Sequence, residues 1–159
     1  MLFLLATPEY NNVQSNITKV RVHLRNGIAE IFEQHQDLMG KVDNNIIEIE
    51  SNFENKLSKT FFVLQDAVFI VSNESKQENN EEGTGVYVYA KRVCEITPNL
   101  SLEEISKRYD EKATLFEKEK QKINDNVDVD KNLNAKLFVL KEEVDFFNKV
   151  ISVVKELKS

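Results

Sequence analysis

Gly27-Ile28-Ala29-Glu30-Ile31-Phe32-Glu33-Gln34-His35-Gln36-Asp37-Leu38 comes just after the alternating run Val20-Arg21-Val22-His23-Leu24. In that run Val20, Val22 and Leu24 face one side of a strand, with Arg21 and His23 on the other, because side chains alternate across a pleat. Asn26-Gly27 is the strongest short hairpin signal in the chain, since a type I′ turn requires positive φ at both central residues. The segment therefore reads as a strand, a glycine-marked turn, a returning strand from Gly27 to Phe32, and a polar loop carrying one imidazole, His35.

Working outward, the apolar pattern keeps a period of two up to about Cys94. Leu2 to Thr7 ends at Pro8, which lacks a ladder donor and suits a strand exit. Further strands are expected at Ile46 to Glu50, Thr60 to Leu64, Val68 to Val71 and Val86 to Ala90. Asp43-Asn44-Asn45 and Asn52 to Lys56 supply turn chemistry between them. The Glu/Asn/Ser stretch from Asn73 to Gly85 reads as a mobile hairpin loop. Many short strands with frequent turns indicate an antiparallel sandwich or flattened barrel.

From Pro98 the period becomes helical. Ser101-Leu102-Glu103-Glu104 is a capping-box sequence, and Leu102, Ile105, Tyr109, Ala113, Phe116 and Ile123 define one face of the helix that follows. The run Asn124 to Asp130 breaks that helix and offers caps for the next. Leu133, Leu137, Leu140, Val144, Phe147, Ile151 and Val154 then alternate spacings of four and three, with Phe146, Val150 and Leu157 widening the stripe. Burying these seven seam residues is worth on the order of 10–20 kcal/mol gross. The pattern fits an intramolecular hairpin and a detachable arm equally well. The fold expected is α+β: an N-terminal antiparallel β-sandwich over residues 1–96, then a C-terminal two-helix hairpin over 97–159.

At 159 residues, 41% hydrophobic and 30% charged, the chain falls among ordinary globular proteins. A formal charge of -6 without any run of Lys or Arg argues against nucleic acid. Cys94 is the only cysteine, which excludes an intrachain disulfide and suggests a reducing compartment. Its neighbours Val93 and Ile96 suggest a buried, inert thiol. Leu2 to Ala6 lacks a basic leader and the length of a signal segment, and no window approaches the ~20 apolar residues that span a bilayer. No direct membrane insertion is expected.

Nothing in the sequence assembles a reaction centre. There is no Walker-type loop and no dinucleotide fingerprint. His23 and His35 sit on separate segments without ligand spacing. Glu78, Glu81 and Glu82 lack apolar neighbours to tune a carboxylate. No catalytic residue, cofactor or metal is assigned, and an enzyme is the least supported reading.

The Gly27 segment does resemble one family, the epsilon subunit of F-type ATP synthases. There a glycine is followed four residues later by Ile, eight later by His and eleven later by Leu, as Gly27, Ile31, His35 and Leu38 stand here. Thr7-Pro8 closing the first strand and Val86-Tyr87-Val88-Tyr89-Ala90 resemble further family segments in family order. The resemblance implies a non-catalytic central-stalk subunit of a rotor. Its sandwich would rest against the gamma subunit and, in membrane-coupled enzymes, against the proteolipid ring. Its C-terminal helices would fold beside the sandwich or extend along gamma toward the alpha and beta catalytic subunits, restraining ATP hydrolysis. Gln34, His35 and Leu38 would lie in the loop of stalk contacts, and Gly27 and Ile28 at the turn facing the ring or another load. The place implied is cytoplasmic, peripheral on the inner face of the membrane through partner subunits.

The chain departs from the family at several positions. Glu33 and Asp37 stand where the family places prolines on both sides of the histidine, so a less rigid loop is expected. Ile28 replaces a ring-facing Glu, and Asp66-Ala67 replaces a Gly-Gly pair. The family's ATP-binding string Ile-Asp-x-x-Arg-Ala is absent, so no nucleotide binding is expected. These changes suggest a divergent form, in an F-type-like rotary ATPase of wall-less bacteria whose load could be a surface motility apparatus. Without the resemblance, the residues describe a free-standing adaptor that recruits a partner through its terminal heptad helix.

Overall fold

Alternating apolar residues in the first half of the chain build strands, and the later 3.6-residue period builds helices. A computed structural model describes residues 1–76, 81–125 and 133–159. Its strands are β1 (Leu2–Ala6), β2 (Asn11–Gln14), β3 (Ile17–Leu24), β4 (Gly27–Ile31), β5 (Leu38–Val42), β6 (Asn45–Phe53), β7 (Lys56–Lys76) and β8 (Glu81–Ile96). The helices are α1 (Leu102–Asn124) and α2 (Leu133–Lys158). The chain divides into two units, Met1–Pro98 and Asn99–Ser159. Together these elements form a β-sandwich followed by a helical hairpin.

The strands run in the order β2-β1-β8-β7-β6-β3-β4, with β5 also on β7. All pairings are antiparallel among the described residues except β1 with β8, which is parallel. Thr60 to Leu64 and Val68 to Val71, expected as separate strands, belong to the single strand β7. Its neighbour changes along its length: β6 pairs with Lys56 to Leu64, and β5 with Ala67 to Val71. The change falls at Asp66, whose φ is +49, opposite a connection containing Asn44, also at φ +49. A strand that bends and changes partner is how a sheet passes into the second layer of a sandwich. Asp66 occupies the left-handed region that a glycine would enter freely, and Asp tolerates it better than most residues. Its amide donates to Asp43 Oδ1 at 3.3 Å. Asp66→Val should therefore destabilise the sandwich by about 1–2 kcal/mol, whereas Asp66→Gly should fall within about 0.5 kcal/mol of the parent; urea unfolding followed by circular dichroism separates the two.

Phe3, Leu5, Val20, Val22, Ile31, Ile47, Ile49, Phe62, Leu64 and Phe69 form the centre of the core. Phe3 of β1 stacks on Phe62 of β7, ring centroids 6.3 Å apart. Val20 and Val22 are fully buried and Leu24 packs against the same cluster, as the alternation requires.

Several local expectations are overturned. The β3–β4 hairpin turns at Arg25-Asn26, between the paired Leu24 and Gly27. Neither turn residue has positive φ; Gly27 alone does, at +151, so the turn is not type I′ and Gly27 opens β4. The supposed loop from Asn73 to Gly85 is mostly ladder: Asn73 pairs with Thr84, and pairing continues to Lys76 with Glu81. Backbone bonds between the strands hold this polar stretch extended without help from apolar side chains. Glu78 lies outside the described residues. Cys94 is half-buried, not buried, because Val93 takes the core-facing position and alternation turns Cys94 to the opposite face.

In the second unit Ser101 caps α1, its Oγ accepting from the Glu104 amide at 3.2 Å. Glu104's carboxylate turns forward to Arg108, 2.8 Å away, instead of reaching back to close the box. The caps proposed within 126–130 lie outside the described residues. On α1, Leu102, Tyr109, Ala113, Phe116 and Ile123 are half-buried and Ile105 is buried. Lys112 of α1 meets Glu143 of α2 at 2.8 Å.

Candidate functional site

The loop between β4 and β5, residues 32–37, is fastened by side chains from distant parts of the sandwich. Gln34 has φ +62, a conformation that disfavours a non-glycine residue by about 1–2 kcal/mol. Its amide donates to Thr84 Oγ1 at 2.7 Å. The Thr84 hydroxyl donates in turn to Asn73 Oδ1 at 2.7 Å, and the Thr84 amide donates to Glu33 Oε1 at 2.8 Å. Asn73 Nδ2 donates to the His35 carbonyl at 2.6 Å and to Asp37 Oδ1 at 3.0 Å. The Asn73 amide donates to the same Asp37 oxygen at 3.2 Å. Glu33 Oε2 also meets the Met1 ammonium group at 2.9 Å.

Expected to loosen the loop, Glu33 and Asp37 instead tie it down. Net values of about 0.5–1.5 kcal/mol per hydrogen bond, more where a carboxylate accepts, together outweigh the strain at Gln34. Asn73 and Thr84 escape sequence reading because their partners lie 36 to 51 residues away. The one available signal is that Asn73 and Thr84 stand near the two ends of the polar stretch that closes β7 and opens β8.

His35 is half-buried and Gln34 exposed, while Leu38 begins β5 half-buried. His35 Nδ1 lies 2.7 Å from the Gln36 carbonyl. A carbonyl only accepts, so Nδ1 carries the proton, and in the neutral ring Nε2 remains an acceptor. Ile28 is 49% exposed and stands opposite His23 on β3, beside the exposed Gly27. Hydrogen bonds from Thr84 and Asn73 thus hold the Gln34–His35 turn, Leu38 follows at the start of β5, and Gly27 and Ile28 lie at the other end of β4.

Along α2 the seven-residue seam is unevenly covered. Leu133 and Val154 are buried, while Leu137, Leu140, Val144, Phe147 and Ile151 are half-buried. Phe146, Val150 and Val153 are buried as well. Burial of these residues beside the seam makes the covered stripe broader than the heptad positions alone. Phe138 and Val139 remain exposed, at 65% and 43%.

The outward face of β4, β3, β6 and β7 carries alternating charges. Arg21 pairs with Glu30 and Glu48, Lys59 with Glu48 and Glu50, and Lys19 with Glu50, all within 3.3 Å. Lys19 and then Lys59 hold the Glu50 carboxyl below the usual value of 4.5. Hydrogen bonding from the Thr84 amide likewise lowers Glu33 from 4.5, against a smaller opposing effect of burial. Glu50 and then Glu48 raise Lys59 above 10.5. A depressed carboxyl adds stability that is complete above its unfolded value and disappears as pH falls through the folded one. A raised lysine adds stability that is complete below its unfolded value and disappears as pH rises through the folded one. The urea midpoint should therefore be flat from about pH 6 to 9 and fall on both sides, with Glu50→Gln shrinking both flanks.

Among the described residues no group of three or more His, Cys, Asp or Glu could hold a metal, and no helix is long and apolar enough to cross a membrane. The class defined by this architecture is a β-sandwich followed by a two-helix hairpin. No protein-family model matches the chain, and none of the curated proteins matches it in sequence. In fold it is similar to a chain of the Euglena gracilis mitochondrial ATP synthase, solved as an OSCP/F1/c-ring assembly in rotational state 1. The TM-score is 0.59 at 10% identity, covering 96% of this chain and 79% of that one. A chain from the Tetrahymena thermophila mitochondrial ATP synthase central stalk/c-ring gives a TM-score of 0.47 at 14% identity, covering 94% and 95%.

Proposed function

We propose that this chain is a non-catalytic central-stalk subunit of the epsilon type, in an F-type or F-type-like ATPase. The sandwich binds the gamma subunit through the loop bearing Gln34, His35 and Leu38. The Gly27-Ile28 turn faces a proteolipid ring or another load, and the helical hairpin restrains ATP hydrolysis by extending toward the alpha and beta subunits. The complex sits on the inner face of the membrane through its partners. The observation that carries this reading is the agreement of two independent likenesses. The spacing of Gly27, Ile31, His35 and Leu38 resembles the epsilon family, and the whole fold is similar to a chain of an ATP synthase assembly.

A subunit of this kind works mechanically. Torque passes through packed interfaces, and a two-state arm biases the permitted direction. Copurification of the tagged chain from its own cells, with companions identified by mass spectrometry, tests the assignment. A gamma-like coiled coil together with catalytic ATPase subunits is the expected outcome. A stable homodimer lacking ATPase subunits favours the adaptor reading. Cryo-electron microscopy of the native complex identifies the load: a proteolipid ring beneath the sandwich excludes a motility apparatus there.

A further inference from the structure

We infer that Asn73 and Thr84 are positioning residues which set the Glu33-to-Asp37 loop in its binding shape before any partner arrives; this rests on the stalk reading of that loop. The two residues face each other as a ladder pair just beyond Gly85, where the pairing of β8 with β1 ends and the β7–β8 ladder runs on. Each bonds several points of the loop. Thr84, only 2% exposed, receives the Gln34 amide on its hydroxyl and gives its own amide to Glu33. Asn73 holds the His35 carbonyl and Asp37 from the other side. The Thr84 hydroxyl closes the circuit by donating to Asn73 Oδ1.

Such an arrangement does what paired prolines do by covalent restriction. It removes alternative loop conformations from the free protein, so less ordering remains to be done on binding. Neither side chain needs to touch the partner. If the loop is competent only part of the time, the apparent dissociation constant rises in inverse proportion to that fraction.

The test uses the full chain in two independent arms. In the free protein, amide exchange by NMR should show Gln34 and His35 protected despite lying in a surface loop. Thr84→Val and Asn73→Ala should accelerate both at least about tenfold, with Phe61 to Leu64 amides unchanged. Thr84→Ser, which keeps the hydroxyl, should restore protection. In the second arm, affinity for the purified gamma subunit should fall about five- to tenfold in Thr84→Val and recover in Thr84→Ser. Unaltered Gln34 and His35 exchange in the variants overturns the inference, as does accelerated exchange with unchanged gamma affinity. Failure of the parent chain to bind gamma overturns the stalk reading and, with it, any role of the loop in gamma binding, whatever the exchange shows.

Discussion

Phe62→Ala should bring the β-sandwich to the edge of unfolding. Phe62 is 0% exposed and stacks on Phe3, so truncation opens a cavity between β7 and β1 that neighbouring strands cannot close. Losses for Phe→Ala in cores run to about 3–5 kcal/mol, against roughly 5–15 kcal/mol for a whole domain. For a unit of this size that corresponds to a fall of at least about 12 °C in Tm. Phe53→Ala is the matched control. It removes the same side chain from the adjacent strand β6, where the ring is 64% exposed, and should shift stability by no more than about 0.5 kcal/mol. Equal effects of the two substitutions on the thermal melt would mean that the core is not organised around the Phe3–Phe62 contact.

Phe62 was recognisable as a strand residue because Thr60 to Leu64 is short, apolar and rich in residues that favour strands. The same signal marked β3, β4, β6 and the central part of β8, and the change of period at Pro98 separated sandwich from helices. Sequence pattern failed where structure depends on distant partners. β2 is four residues long and mostly polar (Asn11–Gln14), so only its pairing with β1 makes it a strand. β5 contains Gly40, a residue depleted in strands, yet a Cβ there would lie 2.5 Å from the Phe69 ring; the glycine serves packing, not a turn. Thr60 to Leu64 and Val68 to Val71 read as two strands because a bent strand and two separate strands have the same local composition. At the candidate site Gln34, His35 and Leu38 were the residues expected from the sequence, whereas the hydrogen bonds accepted by Glu33 and Asp37 were not foreseen. A carboxylate stiffens a loop only when donors meet it, and here those donors come from β7 and β8.

On the stalk role proposed above, removal of everything beyond Asn124 should raise ATP hydrolysis by the reconstituted complex by roughly fivefold or more, at the lower end of ordinary couplings between sites. The argument rests on what α2 presents. Its buried residues Phe146, Val150, Val153 and Val154 require cover in any state, whereas Phe138 and Val139 are exposed in this one. An arm that swings onto another helix gains most from side chains that were previously in water, since only area newly removed from solvent contributes to the association. Phe138→Ser in the full chain is therefore the sharper test. At 65% exposure the substitution should leave the melt of the free protein nearly unchanged and still raise hydrolysis toward the truncated level. Truncation that activates while Phe138→Ser does not would leave restraint with α2 but place its contact elsewhere on the helix. Unchanged hydrolysis in both variants would remove the inhibitory role and leave the hairpin a structural one.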